Sequence, residues 1–119
     1  MTIEEYIVSY LNTELEDVPV SGDAPATKPA SFVTVEKTGE RIKNYVPRAT
    51  IAVQSWAPSR ASAMALNERV KEKMLFMPEA PTVVSKCSLN SEYNYPHEAS
   101  KHPRYQAVFE VVYDYNISA

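Results

Sequence analysis

The chain has 119 residues, 45% of them apolar, and a formal net charge of −3. That is the size of one domain with a core that needs no disulfides. Two glycines and one cysteine leave no material for a P-loop, a dinucleotide fingerprint, an intramolecular disulfide or a cysteine-built metal cluster, and the apolar runs are too short for a membrane-crossing helix.

The charge is unevenly laid out. Residues 1–27 carry Glu4, Glu5, Glu14, Glu16, Asp17 and Asp23 and no Lys or Arg, whereas residues 28–73 hold nine basic and four acidic side chains. Such segregation belongs either to ordinary solvated surface or to complementary faces that meet between copies or partners. The start, M-T-I-E-E-Y, puts acids where a signal peptide has positive charge, so the chain is expected to stay in the cytoplasm where it is made.

Thr2 followed by Glu5 is a capping box. Ile3, Tyr6, Ile7, Tyr10 and Leu11 then recur at helical spacing, which predicts a first helix ending near Asn12–Leu15. Residues 18–31 contain three prolines and a glycine and read as a short strand or turn followed by an irregular loop. Ser31–Thr38 reads as a strand, Gly39 as a turn, and Glu40–Tyr45 as an arm whose ladder Pro47 should interrupt. Arg48–Trp56 is the next strand. Ser59 is placed to cap a long helix, with Ala63, Leu66, Val70, Met74 and Met77 as its buried seam, Met64 and Ala65 widening it, and Asn67, Glu68, Lys71 and Glu72 facing water. The methionines read as core filler. Pro78 and Pro81 stop this helix. Thr82–Leu89 reads as a strand containing Cys87, a small buried or half-buried thiol with no partner motif. Residues 90–104 read as a long polar and aromatic loop.

The closing strand, Tyr105–Asn116, alternates cleanly. Tyr105, Ala107, Phe109, Val111, Tyr113 and Tyr115 share one face, expected to meet the helices; Gln106, Val108, Glu110, Val112, Asp114 and Asn116 share the other. Val108 and Val112 would leave an apolar strip there for another chain. Together these elements predict a single α+β domain over 1–119. Its mainly antiparallel sheet of about four strands carries the N-terminal helix and the long helix on one face, with mobile loops at 19–31, 38–47 and 90–104.

No catalytic constellation emerges. His97 and His102 have a spacing that could suggest a metal, but Pro103 breaks any helix there, so they read as surface-loop histidines. No nucleophile elbow is present. An enzyme is not expected, and neither a metal nor a cofactor. Lys37, Arg41, Lys43 and Arg48 with Tyr45 among them could clamp a single nucleic-acid strand, yet Glu36 and Glu40 intervene and the pI near 5.4 opposes general affinity for phosphate. A protruding hairpin that docks between subunits fits these residues better.

Two blocks, P-R-A-T-I-A-V-Q-S-W-A-P-S-R-A-S-A-M-A-L-N-E-R-V from Pro47 and P-R-Y-Q-A-V-F-E-V-V-Y-D from Pro103, resemble the tail terminator (tail completion, or minor tail) proteins of long-tailed bacteriophages. In that family a strand ends in a similar W-A-x-(S/T)-R-x-x-A turn into a helix, and a closing strand follows an x-P-R-Y loop. The resemblance implies a ring, usually of six copies, at the head-proximal end of the virion's tail. Such a ring would end the tail tube and meet the head connector or a head-completion protein. Double-stranded DNA would pass through its bore without specific binding, which suits a mildly acidic protein. Lys37, Arg41, Lys43, Tyr45, Arg48, Val108 and Val112 are the expected contact residues with copies or partners. A head-closure adaptor, and a small ligand- or nucleic-acid-binding module, are the alternative readings.

Overall fold

The computed structural model describes residues 1–27, 29–79, 84–97, 99 and 102–114. Helix α1 (Ile3–Glu14) opens on the expected capping box: Thr2 Oγ1 accepts the Glu5 amide at 3.1 Å and the Glu5 carboxylate accepts the Thr2 amide at 2.9 Å. Ile3, Ile7 and Leu11 are its buried stripe. Helix α2 (Arg60–Phe76) starts in the same way, with Ser59 and Ser62 exchanging side-chain and backbone bonds at 3.1 Å. Ala63, Leu66, Val70, Met74 and Met77 are all buried against the sheet, and the chain leaves the helix through a 3-10 turn at Met77–Glu79 that contains Pro78.

The strands are β1 (Val20–Ser21), β2 (Phe32–Lys43), β3 (Val46–Trp56), β4 (Val84–Asn94) and β5 (Arg104–Tyr113), in the spatial order β1-β2-β3-β5-β4. All pairs are antiparallel except the short β1, which runs parallel to β2 and makes a fifth strand where about four are expected. Helix α2 carries the chain from β3 across β5 to the edge strand β4. The core lies between this sheet and the helices. Ile51, Val53, Ala107, Phe109 and Val111 are fully buried in it, as the alternation in the last strand requires. Each such large side chain stabilises the fold by about 1.5–3 kcal/mol relative to exposure. The helices are tied together by the Tyr10 hydroxyl, which donates to the Lys73 carbonyl at 2.7 Å, and by the Arg69–Asp17 ion pair at 2.6 Å.

Several expectations need correction. Residues 38–47 are not a loop: β2 and β3 pair continuously from Phe32↔Trp56 to Lys43↔Val46. Gly39 lies inside β2 beside a bulge, and the turn is Asn44-Tyr45, both with positive φ (52° and 66°), as a two-residue hairpin turn demands. Pro47 sits opposite Ile42, just past the last β3–β5 pair, where the strand has a neighbour on one side only. Residues 90–94 are strand, so only residues 95–103 separate β4 from β5. Met64 and Ala65 are exposed and Asn67 is fully buried, the reverse of the expected helix faces. Asn67 turns inward because Glu92 of β4 accepts its side-chain amide at 2.9 Å. Pro81, Thr82, Tyr115 and Asn116 lie outside the described residues.

Candidate functional site

The sheet face away from the helices has three zones. At one end a polar ladder crosses four strands. Thr34 Oγ1 donates to Gln54 Oε1 (3.2 Å), Gln54 Nε2 to Gln106 Oε1 (2.7 Å), and Gln106 Nε2 to the Tyr93 hydroxyl (2.5 Å). These residues are register partners, so the ladder follows from strand pairing.

Beside the ladder is an aromatic cluster. Phe32 stacks on Trp56 at 5.0 Å, and His97 and His102 meet the Trp56 ring at 5.6 and 5.4 Å. Arg104 lies over the rings of both Trp56 and Tyr95. Burial lowers the Arg104 pKa from its ordinary value. The two histidines are therefore half-buried packing partners and not surface ornaments. Among the described residues no group of His, Cys, Asp and Glu has the arrangement of a metal site. Cys87 is half-buried on the helix-facing side, and burial pushes its thiol up to about 12, far from a reactive thiolate.

At the opposite end of β2 and β3 the hairpin runs past the last β3–β5 pair, Arg48↔Val112, and projects as a two-stranded arm. The molecule measures 42 × 24 × 24 Å. The root of the arm is fastened on both faces. On the outer face Arg41 and Arg48 stand directly opposite each other and share Glu110, at 3.4 and 3.3 Å; on the inner face Glu40 accepts from the Tyr113 hydroxyl and meets Lys37 at 3.6 Å. On the β1-side edge of β2, next to the bulge, the Lys37 amide donates to the Glu4 carboxylate at 2.8 Å.

Of the residues singled out by sequence, Arg41, Lys43, Tyr45 and Arg48 lie on this arm and its root, whereas Lys37 lies further back on β2, opposite Ile51. Lys43 is exposed, and Tyr45 is 94% exposed at the tip, flanked by the exposed Ile42 and Val46. The expected apolar strip is another correction: Val112 is already buried between Arg48 and Lys86, and Val108 is half-buried, so a single chain covers most of it. Sequence reading missed Arg104, the polar ladder, and the tip's Ile42 and Val46. The glutamines Gln54 and Gln106 at outward strand positions were the available signal for the ladder.

Two clefts flank the pole opposite the arm. One, of about 380 Å³, is lined by Glu4, Asp23, Thr34, Glu36, Lys37 and Trp56 among others. Gly22 lets the chain close on it, since a Cβ there would come within 3.2 Å of Glu4 Oε1. The other, of about 470 Å³, lies between Pro19, Pro29 and the first half of α2. No helix among the described residues is long and apolar enough to cross a membrane. No protein-family model and no curated protein matches the chain.

Proposed function

We propose that this chain is a structural virion protein that forms a ring, ends the tail tube of a long-tailed phage and joins it to the head connector. The observation that carries the reading is the arm. A hairpin that leaves its own sheet, with a tyrosine 94% exposed between two exposed aliphatic residues at its tip, offers apolar surface that a second chain can cover. The root is held by Glu110 and Glu40, so the arm is presented ready for contact and little ordering is lost on docking. The Trp56-to-Ser59 turn and the Pro103-Arg104-Tyr105 entry to the last strand, on which the family resemblance rests, both belong to the cluster that fixes the pole opposite the arm.

The test is the particle formed by the purified protein. Sedimentation and negative-stain electron microscopy should show annular particles of several copies, and those rings should cap tubes assembled from a tail tube protein. A protein that stays monomeric at every concentration and leaves tubes uncapped would overturn the reading.

A further inference from the structure

The arm and the smaller cleft lie at opposite ends of the same hairpin. Glu36 lines the cleft and Lys43 sits beside the tip on the same strand, so the two are separated by roughly 23 Å at the usual rise along a strand. The tip cannot reach the cleft of its own chain. It can reach that of a second copy, and the chemistry of the two matches.

Among the described residues, the cleft carries Glu4, Asp23 and Glu36 against one cation, Lys37. Among the described residues, neither the Asp23 nor the Glu36 carboxylate has an ion-pair partner. The tip carries Lys43, likewise without an ion pair among the described residues, next to Tyr45. A cleft of about 380 Å³ bounded partly by Trp56 has room for a tyrosine ring or a lysine end. Resting on the ring reading above, we infer that the hairpin tip of one copy seats in the Glu4–Asp23–Glu36 cleft of the next, with Lys43 facing the two unpaired carboxylates and Tyr45 filling the space. A knob and a hole at opposite poles make a heterologous contact, the kind that closes into a ring when its rotation permits and otherwise runs on as a filament. Glu4 and Asp23 of the acidic start then share a purpose with Lys43 of the basic middle, the two segments meeting across the contact.

Charge exchange tests this. Lys43→Glu makes the tip acidic, and the pair Asp23→Lys with Glu36→Lys makes the cleft basic; all three positions are exposed, so melting temperatures should stay close to wild type. Like charges brought together at a contact cost several kcal/mol, so each variant alone should need at least about tenfold more protein to assemble, as read by sedimentation velocity. An equimolar mixture of the two restores opposite charges at every contact and should assemble near the wild-type concentration, with alternating copies detectable by native mass spectrometry. The inference is overturned if either variant alone assembles like wild type, or if the mixture does no better than its components. Wild-type protein that never assembles would overturn the ring reading along with it, whereas wild-type assembly that is indifferent to these variants would remove the tip-to-cleft contact alone.

Discussion

The guanidinium of Arg104 lies 4.7 Å from the centroid of the Trp56 ring and donates from Nε to the Tyr95 carbonyl at 2.7 Å. The same guanidinium lies 4.3 Å from the centroid of the Tyr95 ring. One side chain at the start of β5 thereby joins the end of β3 to the segment that leaves β4. It also supports the polar ladder, donating to Gln54 Oε1 at 3.3 Å. Trp56, at the turn from β3 toward α2, is thus the point where the loop from β4 is pinned to the sheet.

Arg104→Ala should destabilise the domain by about 2–4 kcal/mol, because it removes a largely buried cation–π stack and leaves the Tyr95 carbonyl without its donor. Arg104→Lys keeps the charge but loses the planar fork, and should recover only part of that. Urea titration measures both. The chain contains one tryptophan, so its fluorescence reads the cluster directly: a red shift in Arg104→Ala under native conditions would mark opening around Trp56, and unchanged stability and emission would contradict the pinning role.

Val111→Asp should unfold the domain or sharply lower its melting temperature. Val111 is fully buried, paired between Ala49 and Cys87, and an aspartate there would bring an unpaired charge into the core. A circular-dichroism melt unchanged from wild type would mean that the last strand does not face the helices.

Alkaline pH should destabilise the protein before any strand is disturbed by mutation. Burial pushes the Cys87 thiol from 9.0 to about 12, and burial, then the nearby Glu14, push the Tyr10 hydroxyl from 10.0 to about 12. Both folded-state values are raised, so the stabilisation is complete below the unfolded values and is lost as pH climbs from about 9 toward 12. Melting temperature measured across that range should fall, and Cys87→Ala should flatten the first part of the decline. An equally steep decline in Cys87→Ala would assign the effect elsewhere.

How much of this was legible in the sequence follows from the range of each interaction. Both helix starts were readable from local signals, the Thr2–Glu5 capping box and the Ser59 cap before a run of helix formers; that Ser62 completes a second capping box came from the fold. The facing of β5 was readable because its alternation is strict from Gln106 to Val111. The arm was obscured by Gly39 and Pro47, which look like breaks but sit at a bulge and at the unpaired side of a strand, while the real turn uses a tyrosine in a conformation that tyrosine rarely adopts. Residues 90–94 lack an apolar alternation; they are strand because β5 pairs with them. Asn67 is bonded to Glu92, Gln54 to Gln106, and Arg104 lies over Trp56, each across more than twenty residues of sequence, and nothing local announces these contacts. The hairpin residues proposed as contacts stand out in the sequence through their charge, whereas the cleft proposed to receive them appears only in the fold.

Tyr45 offers the sharpest separation of stability from assembly. It holds φ at 66°, a left-handed conformation that costs a non-glycine residue about 1 kcal/mol, and its side chain is 94% exposed. Tyr45→Gly removes that strain, and Asn-Gly is a favoured pair for such a hairpin turn. The variant should therefore be at least as stable as wild type, by up to about 1 kcal/mol once the greater chain entropy of glycine is offset. If the tip is a docking element, the same variant should lose assembly, since the aromatic ring that would fill a partner's cleft is gone. Thermal melts and sedimentation of one sample read both effects. A variant less stable than wild type would argue against the positive-φ turn, and one that assembles normally would show that Tyr45 is not part of the contact.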